Sequence, residues 1–128
     1  MAKRILSIVG TAYRGTVEEQ DDTVLWFTHM LKTGGLDMTV LLRSSAVNYA
    51  VRGQDASGLR FGEQPVEHPP ALDGDLAALM DHGVPVLFIE DDARALGIAN
   101  DRLIDGVEGV PMRDVAGLCH GFDQVWHW

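Results

Sequence analysis

The stretch that most constrains the fold is Gly83 to Gly97, GVPVLFIEDDARALG. Val84 to Ile89 is an unbroken apolar run of strand length, and a run of this kind reads as a strand covered on both faces. It is expected to be the central strand of a parallel sheet. At its carboxyl end stand three consecutive acids, Glu90, Asp91 and Asp92, and a short helical segment then closes at Gly97. Ligands of open α/β sheets sit just beyond the carboxyl ends of the strands, so this junction is the first candidate for chemistry.

The rest of the chain alternates around that strand. Arg4 to Val9 reads as a strand ending at Gly10-Thr11. Thr16 and Glu19 form a capping box that opens a helix, with Val24, Phe27, Thr28 and Leu31 on one face and Gly34-Gly35 as the stop. Met38 to Leu42 is a second buried strand, and the link between the two is long enough for a parallel crossover. AVNYAVRGQ reads as a short helix ending at Gly53. Gln54 to Pro70, with Gly58, Gly62, Pro65, Pro69 and Pro70, reads as a surface excursion and the least ordered part of the chain. Leu72, Leu76, Leu79 and Met80 mark a helix closing at His82-Gly83. Asn100 caps a turn through Leu103, Val107 to Val110 is a brief strand, and Pro111 opens a last helix bearing Val115, Leu118 and Cys119 on one face. Phe122 to Trp128 alternates apolar and polar residues as a half-exposed last strand does. The expected fold is a three-layer α/β/α sandwich with a five-stranded, mainly parallel sheet, one domain over residues 1–128.

Composition narrows the function. The formal net charge of -9 disfavours nucleic acid and anionic membrane as partners, since both require clustered Lys and Arg. No apolar run approaches the roughly 20 residues of a membrane span, and the N-terminus lacks the cleavage signature of a signal peptide. The single cysteine, Cys119, cannot pair internally, which fits a reducing cytoplasm.

Three constellations offer chemistry. The loop Gly10 to Thr16 has the outer glycines of a Walker A motif, but Thr16 stands where its lysine would be, so nucleotide hydrolysis is disfavoured. Thr11, Arg14 and backbone donors are a candidate anion cradle there, beside the plain reading of a capped loop. The loop also resembles, loosely, the flavin-phosphate loop of flavodoxins. The acids Glu90, Asp91 and Asp92 are candidates for a cation site or a general base, while Asp91 or Asp92 also suits the N-cap of its own helix. Cys119 reads as core packing, with activation by His120 as the functional alternative. The histidines show no metal-ligand spacing, so neither a metal nor a cofactor is expected.

The chain resembles the DsrE/DsrF/DsrH-like family of sulfur-relay proteins, including the TusD type. The likeness is carried by the N-terminal strand with its glycine, by AVNYAVRGQ, and above all by GVPVLFIEDDARALGI followed by NDRLIDGVEGVPMRDVAGL and the aromatic-rich last strand. It implies a parallel five-stranded sheet and assembly into oligomers such as trimers and hexamers. Members that transfer sulfur carry a persulfide on a cysteine at the end of the central strand, and that position falls at Ile89 or Glu90 here. Neither residue can hold sulfur, and Cys119 lies elsewhere. The expectation is therefore an oligomeric accessory or binding subunit with a small-molecule or anion pocket built from Thr11, Tyr13, Arg14, Asn48 and Glu90. A sulfurtransferase or redox protein using Cys119, and a flavodoxin-like binder, are the alternatives. The expected partner is a second copy of the chain, as dimer, trimer or hexamer, with a protein or small molecule besides. The tryptophans of the last strand, Trp128 in particular, are expected at the subunit contact.

Overall fold

A computed structural model describes residues 3–12, 23–67 and 69–128. Five strands form one sheet: β1 (Arg4–Val9), β2 (Asp37–Leu42), β5 (Val86–Ile89), β6 (Glu108–Val110) and β7 (Gln124–His127). Their order is β6-β5-β2-β1-β7, and every neighbouring pair is parallel. The middle position belongs to β2, so the expectation that Val84–Ile89 is central is corrected by one place. Both runs read alike because both are covered on two faces, and apolar content alone does not rank interior strands.

The strand period of two divides the core. Ile5 and Val9, Met38, Val40 and Leu42, and Val86 and Phe88 face one layer, where they meet α1 (Thr23–Thr33), a 3-10 helix (Ser44–Ala50) and α2 (Leu72–Asp81). Leu6, Ile8, Leu41, Leu87 and Ile89 face the other, where Val115, Leu118 and Cys119 of α4 (Val115–His120) pack with Phe122. Each fully buried side chain of this size stabilises the fold by roughly 1.5–3 kcal/mol.

The helix stripe expected in α1 is partly redrawn. Val24, Leu25 and Thr28 are buried, but Phe27 is half out, stacked on Trp126 at 6.3 Å and edge-on to Trp128 at 6.1 Å. Thr28 tolerates burial because its hydroxyl donates to the Val24 carbonyl at 2.8 Å. Phe27 instead reaches the free edge of the sheet at β7. The capping box of Thr16 and Glu19 lies outside the described residues.

Between the 3-10 helix and α2 the chain makes a small antiparallel ribbon, β3 (Arg60–Phe61) with β4 (Gln64–Pro65). Expected as the least ordered part, this excursion is anchored at its start by Gln54, whose amide donates to the carbonyls of Asn48, Tyr49 and Val51. A single side-chain amide serving three carbonyls has no periodic signature in sequence. No helix among the described residues is long and apolar enough to cross a membrane.

Candidate functional site

β5 runs into α3 (Glu90–Ala95) with no intervening loop, so the three acids form the first turn of the helix at the strand end. The helix dipole favours them there. Asp91 and Asp92 do cap helices, but not their own, since Ile89 is the residue at the N-cap of α3 and supplies no side-chain cap. The Asp92 carboxylate accepts the Ser44 N–H at 2.7 Å, the first residue of the 3-10 helix after β2. The Asp91 carboxylate accepts the Met112 N–H at 2.7 Å, the first residue of the 3-10 helix Met112–Asp114 after β6. The end of β5 is thus tied to the loops that leave both neighbouring strands. Asp92 holds Ser44 at a φ of 48°, a left-handed conformation uncommon for a side-chain-bearing residue. The Met112 N–H is the main reason the Asp91 carboxyl lies below its ordinary value of 3.8; partial loss of solvent opposes it, and the residue's own N–H, Arg94 and Arg113 add smaller attractions.

Glu90 is left over from this bracing. Its side chain forms no hydrogen bond or ion pair with the described residues, and it lines a cleft of about 310 Å³ with Arg52, Phe88, Asn100, Asp105 and Gly109. A second hollow of about 320 Å³, bounded by Arg94, Ile98 and Ala99, shares Glu90 and Asn100 with the first. Space for the carboxylate comes from Gly109, where a Cβ would stand 2.6 Å from both Cγ and Oε1 of Glu90. A glycine inside a strand commonly marks such a close approach, so Gly109 between Glu108 and Val110 was a readable signal that the sequence reasoning missed. Across the cleft Arg52 pairs with Asp105 at 2.6 Å. The arrangement offers a carboxylate acceptor, an amide and a neutralised guanidinium, and it suits a small ligand that donates hydrogen bonds or carries positive charge. Arg52 lies in AVNYAVRGQ and Asn100 opens NDRLIDGVEGV, but neither was expected as a site residue.

Of the other expected site residues, Thr11 and Asn48 do not line the hollows around Glu90. Thr11 is exposed beyond β1, and its neighbour Ala12 donates its N–H to the Ser45 hydroxyl at 3.2 Å. Asn48 is half-buried and donates to the Ser45 carbonyl at 2.9 Å. Ser45 therefore links Ala12 to Asn48. Tyr13 and Arg14 lie outside the described residues. Cys119 is half-buried against the Leu6, Ile8 and Leu41 layer, as its apolar helix face predicts, with the adjacent His120 exposed. Among the described residues no group of three or more His, Cys, Asp or Glu side chains is placed to hold a metal ion.

The last strand is held more firmly than a fraying terminus. Trp128 donates its backbone N–H to Ile8 at 2.9 Å and its indole N–H to the Ser7 hydroxyl at 2.9 Å. It remains 38% exposed, and with Phe27 and Trp126 it leaves aromatic surface along the free edge of the sheet.

No family model and no curated protein sequence matches the chain. Solved structures do. The chain is similar to the YchN protein of E. coli at 24% identity and a TM-score of 0.76, with 98% of this chain and 99% of that one covered. It is also similar to MTH1491 from Methanobacterium thermoautotrophicum, a protein of unknown function, at 18% identity and a TM-score of 0.68, covering 97% and 98%. BT1422 from Bacteroides thetaiotaomicron, likewise of unknown function, is 13% identical with a TM-score of 0.64 over 97% and 94%. At these identities the likeness establishes the fold alone, a parallel five-stranded α/β arrangement.

Proposed function

We propose that the chain is a DsrE-like accessory or binding subunit that holds a small polar molecule at Glu90 and does not carry sulfur as a persulfide. The observation that supports this most is the Glu90 carboxylate itself. It is one of the two residues, with Ile89, at which the family resemblance puts the sulfur-bearing cysteine; it has no described partner, and it faces a cleft of about 310 Å³. A carboxylate there accepts hydrogen bonds from a ligand but cannot form a persulfide. Its charge turns the cleft away from anions, so the ligand class is a small cation or a neutral molecule rich in donors.

Self-assembly completes the proposal. The aromatic surface of Phe27, Trp126 and Trp128 borders an edge strand, a combination that a second copy covers by packing and strand contact. Light scattering should return a multiple of the 14.0 kDa protomer. A monomeric mass at micromolar concentration removes the assembly half of the proposal.

Ligand binding is tested by calorimetric titration of methylguanidinium, ethylammonium and acetate into the wild-type protein and Glu90→Gln. A cation should bind the wild type and bind the variant at least about tenfold more weakly, the effect of one charge-assisted hydrogen bond. Equal binding to both proteins, or acetate as the preferred probe, overturns the assignment of Glu90. Native Cys119 should alkylate slowly and become fast only on denaturation; fast native labelling with a depressed thiol pKa would instead favour a thiol enzyme.

A further inference from the structure

We propose a second ligand site, for a tetrahedral oxyanion, where Arg43 and His127 meet across Gly10 at the carboxyl ends of β2, β7 and β1. It rests on residues that do not line the Glu90 clefts and stands independently of them. Arg43 Nη1 lies 3.0 Å from His127 Nε2. An arginine does not give up its charge in a protein, so the guanidinium donates and Nε2 accepts. That bond leaves the imidazole proton on Nδ1. The pair then presents the remaining guanidinium N–H groups and one imidazole N–H, a set made only of donors with a single positive charge.

Two further observations point outward to a ligand. Gly10 is not among the residues with positive φ, so its backbone does not require glycine. A Cβ there would stand 3.3 Å from His127 Nε2, 3.5 Å from the Trp128 backbone oxygen and 3.6 Å from Arg43 Cγ, so a side chain would crowd the imidazole by a few tenths of an ångström. The missing side chain lets the two groups close over the end of β1. The second observation is charge. Arg4, Arg52 and Arg94 each pair with an aspartate, whereas Arg43, half-buried, forms no ion pair with a described carboxylate. Asp92 is the acid held to the adjoining residue, and its carboxylate is engaged by the Ser44 N–H. A guanidinium with no carboxylate partner among the described residues, in a chain of net charge -9 and at the strand ends where α/β sheets bind ligands, suits a phosphate or sulfate group in sign.

The test is calorimetric titration of sodium sulfate, sodium phosphate and phenyl phosphate, at ionic strength matched with sodium chloride, into the wild type and three variants. Saturable binding is expected in the wild type. Arg43→Gln should weaken it at least about tenfold, the loss of a charged donor. Gly10→Ala should weaken it with the fold intact by circular dichroism, because the added methyl displaces the pair without straining the backbone. Glu90→Gln should bind the anions as the wild type does, which keeps the outcome separate from that of the Glu90 cleft. Binding of the inorganic ions alone assigns a free ion, and binding of phenyl phosphate as well assigns a terminal group on a larger molecule; both support the site. Absence of saturable binding for all three anions, or equal affinity in Arg43→Gln, overturns it.

Discussion

The two halves of the sheet's carboxyl edge, on either side of the middle strand, carry opposite charge. At β5 and β6 stand Glu90, Asp91 and Asp92, with Glu90 facing a cleft. At β1, β2 and β7 stand Gly10, Arg43 and His127, with Arg43 hydrogen-bonded to His127 beside Gly10 at the strand ends. The seam is the bond from Ser44 N–H to Asp92, which joins the residue after Arg43 to the acidic turn. The contrast teaches how side chains are divided between structure and ligand. On the acidic side two of the three carboxylates hold loops and one is left over. On the basic side the guanidinium is held by an imidazole, which fixes its position without cancelling its charge.

The largest expected effect comes from the strand that both halves share. Leu42 is fully buried at the end of β2, and Leu42→Ala should lower stability by about 2–5 kcal/mol and weaken both ligand responses together. Chemical denaturation checks it. A loss confined to one response would show that the halves do not share a support.

Next is the seam. Asp92→Ala removes the distant cap of the 3-10 helix and should cost about 0.5–2 kcal/mol, the range for a lost cap. Because Ser44 adjoins Arg43, anion binding should weaken more than cation binding, which calorimetry on the variant distinguishes. Unchanged stability would mean that water replaces the carboxylate without penalty.

Glu90→Gln sharpens the comparison by what it leaves alone. The side chain has no described partner, so the melting temperature should stay within the range of an ordinary surface substitution, about 0.5 kcal/mol, while cation binding falls. A marked destabilisation would reveal a structural role for the carboxylate.

The smallest effect concerns Asp91. Its carboxyl is held below 3.8, chiefly by the Met112 N–H, so the group binds protons less readily folded than unfolded. Its contribution is full above the unfolded value and disappears as pH falls through the lower folded one. Asp91→Asn should therefore lower stability modestly at neutral pH, with the difference from the wild type closing as pH falls below about 4, so that the acid limb of a stability-against-pH curve is flatter. An unchanged acid limb removes the Met112 bond from the account.

The fold was legible because its signals are periodic: the apolar runs at Ile5–Val9, Met38–Leu42 and Val86–Ile89 belong to strands covered on both faces, and Leu72, Leu76 and Leu79 face the core. The ranking of the interior strands was not legible, since β5 is the more apolar run yet β2, with Asp37 and Thr39, holds the middle position. Glu90 was found from its position at a strand end. Its companions Arg52 and Asn100 were not, because they reach the cleft through loops whose paths depend on tertiary bonds such as Gln54 to three carbonyls. The Asp pair shows the same limit. Acids at a helix start are read as local caps, yet Asp91 and Asp92 bond residues 21 and 48 positions away.

The most direct test of the central contrast is a pair of titrations followed by two-dimensional amide spectra of isotopically labelled protein. Methylguanidinium should move the resonances of Glu90, Asn100 and Gly109 and leave those of Gly10, Arg43 and His127 in place, and sodium sulfate should do the reverse. Two probes that move the same residues, or that move neither set, would contradict a strand edge divided by charge into two ligand sites.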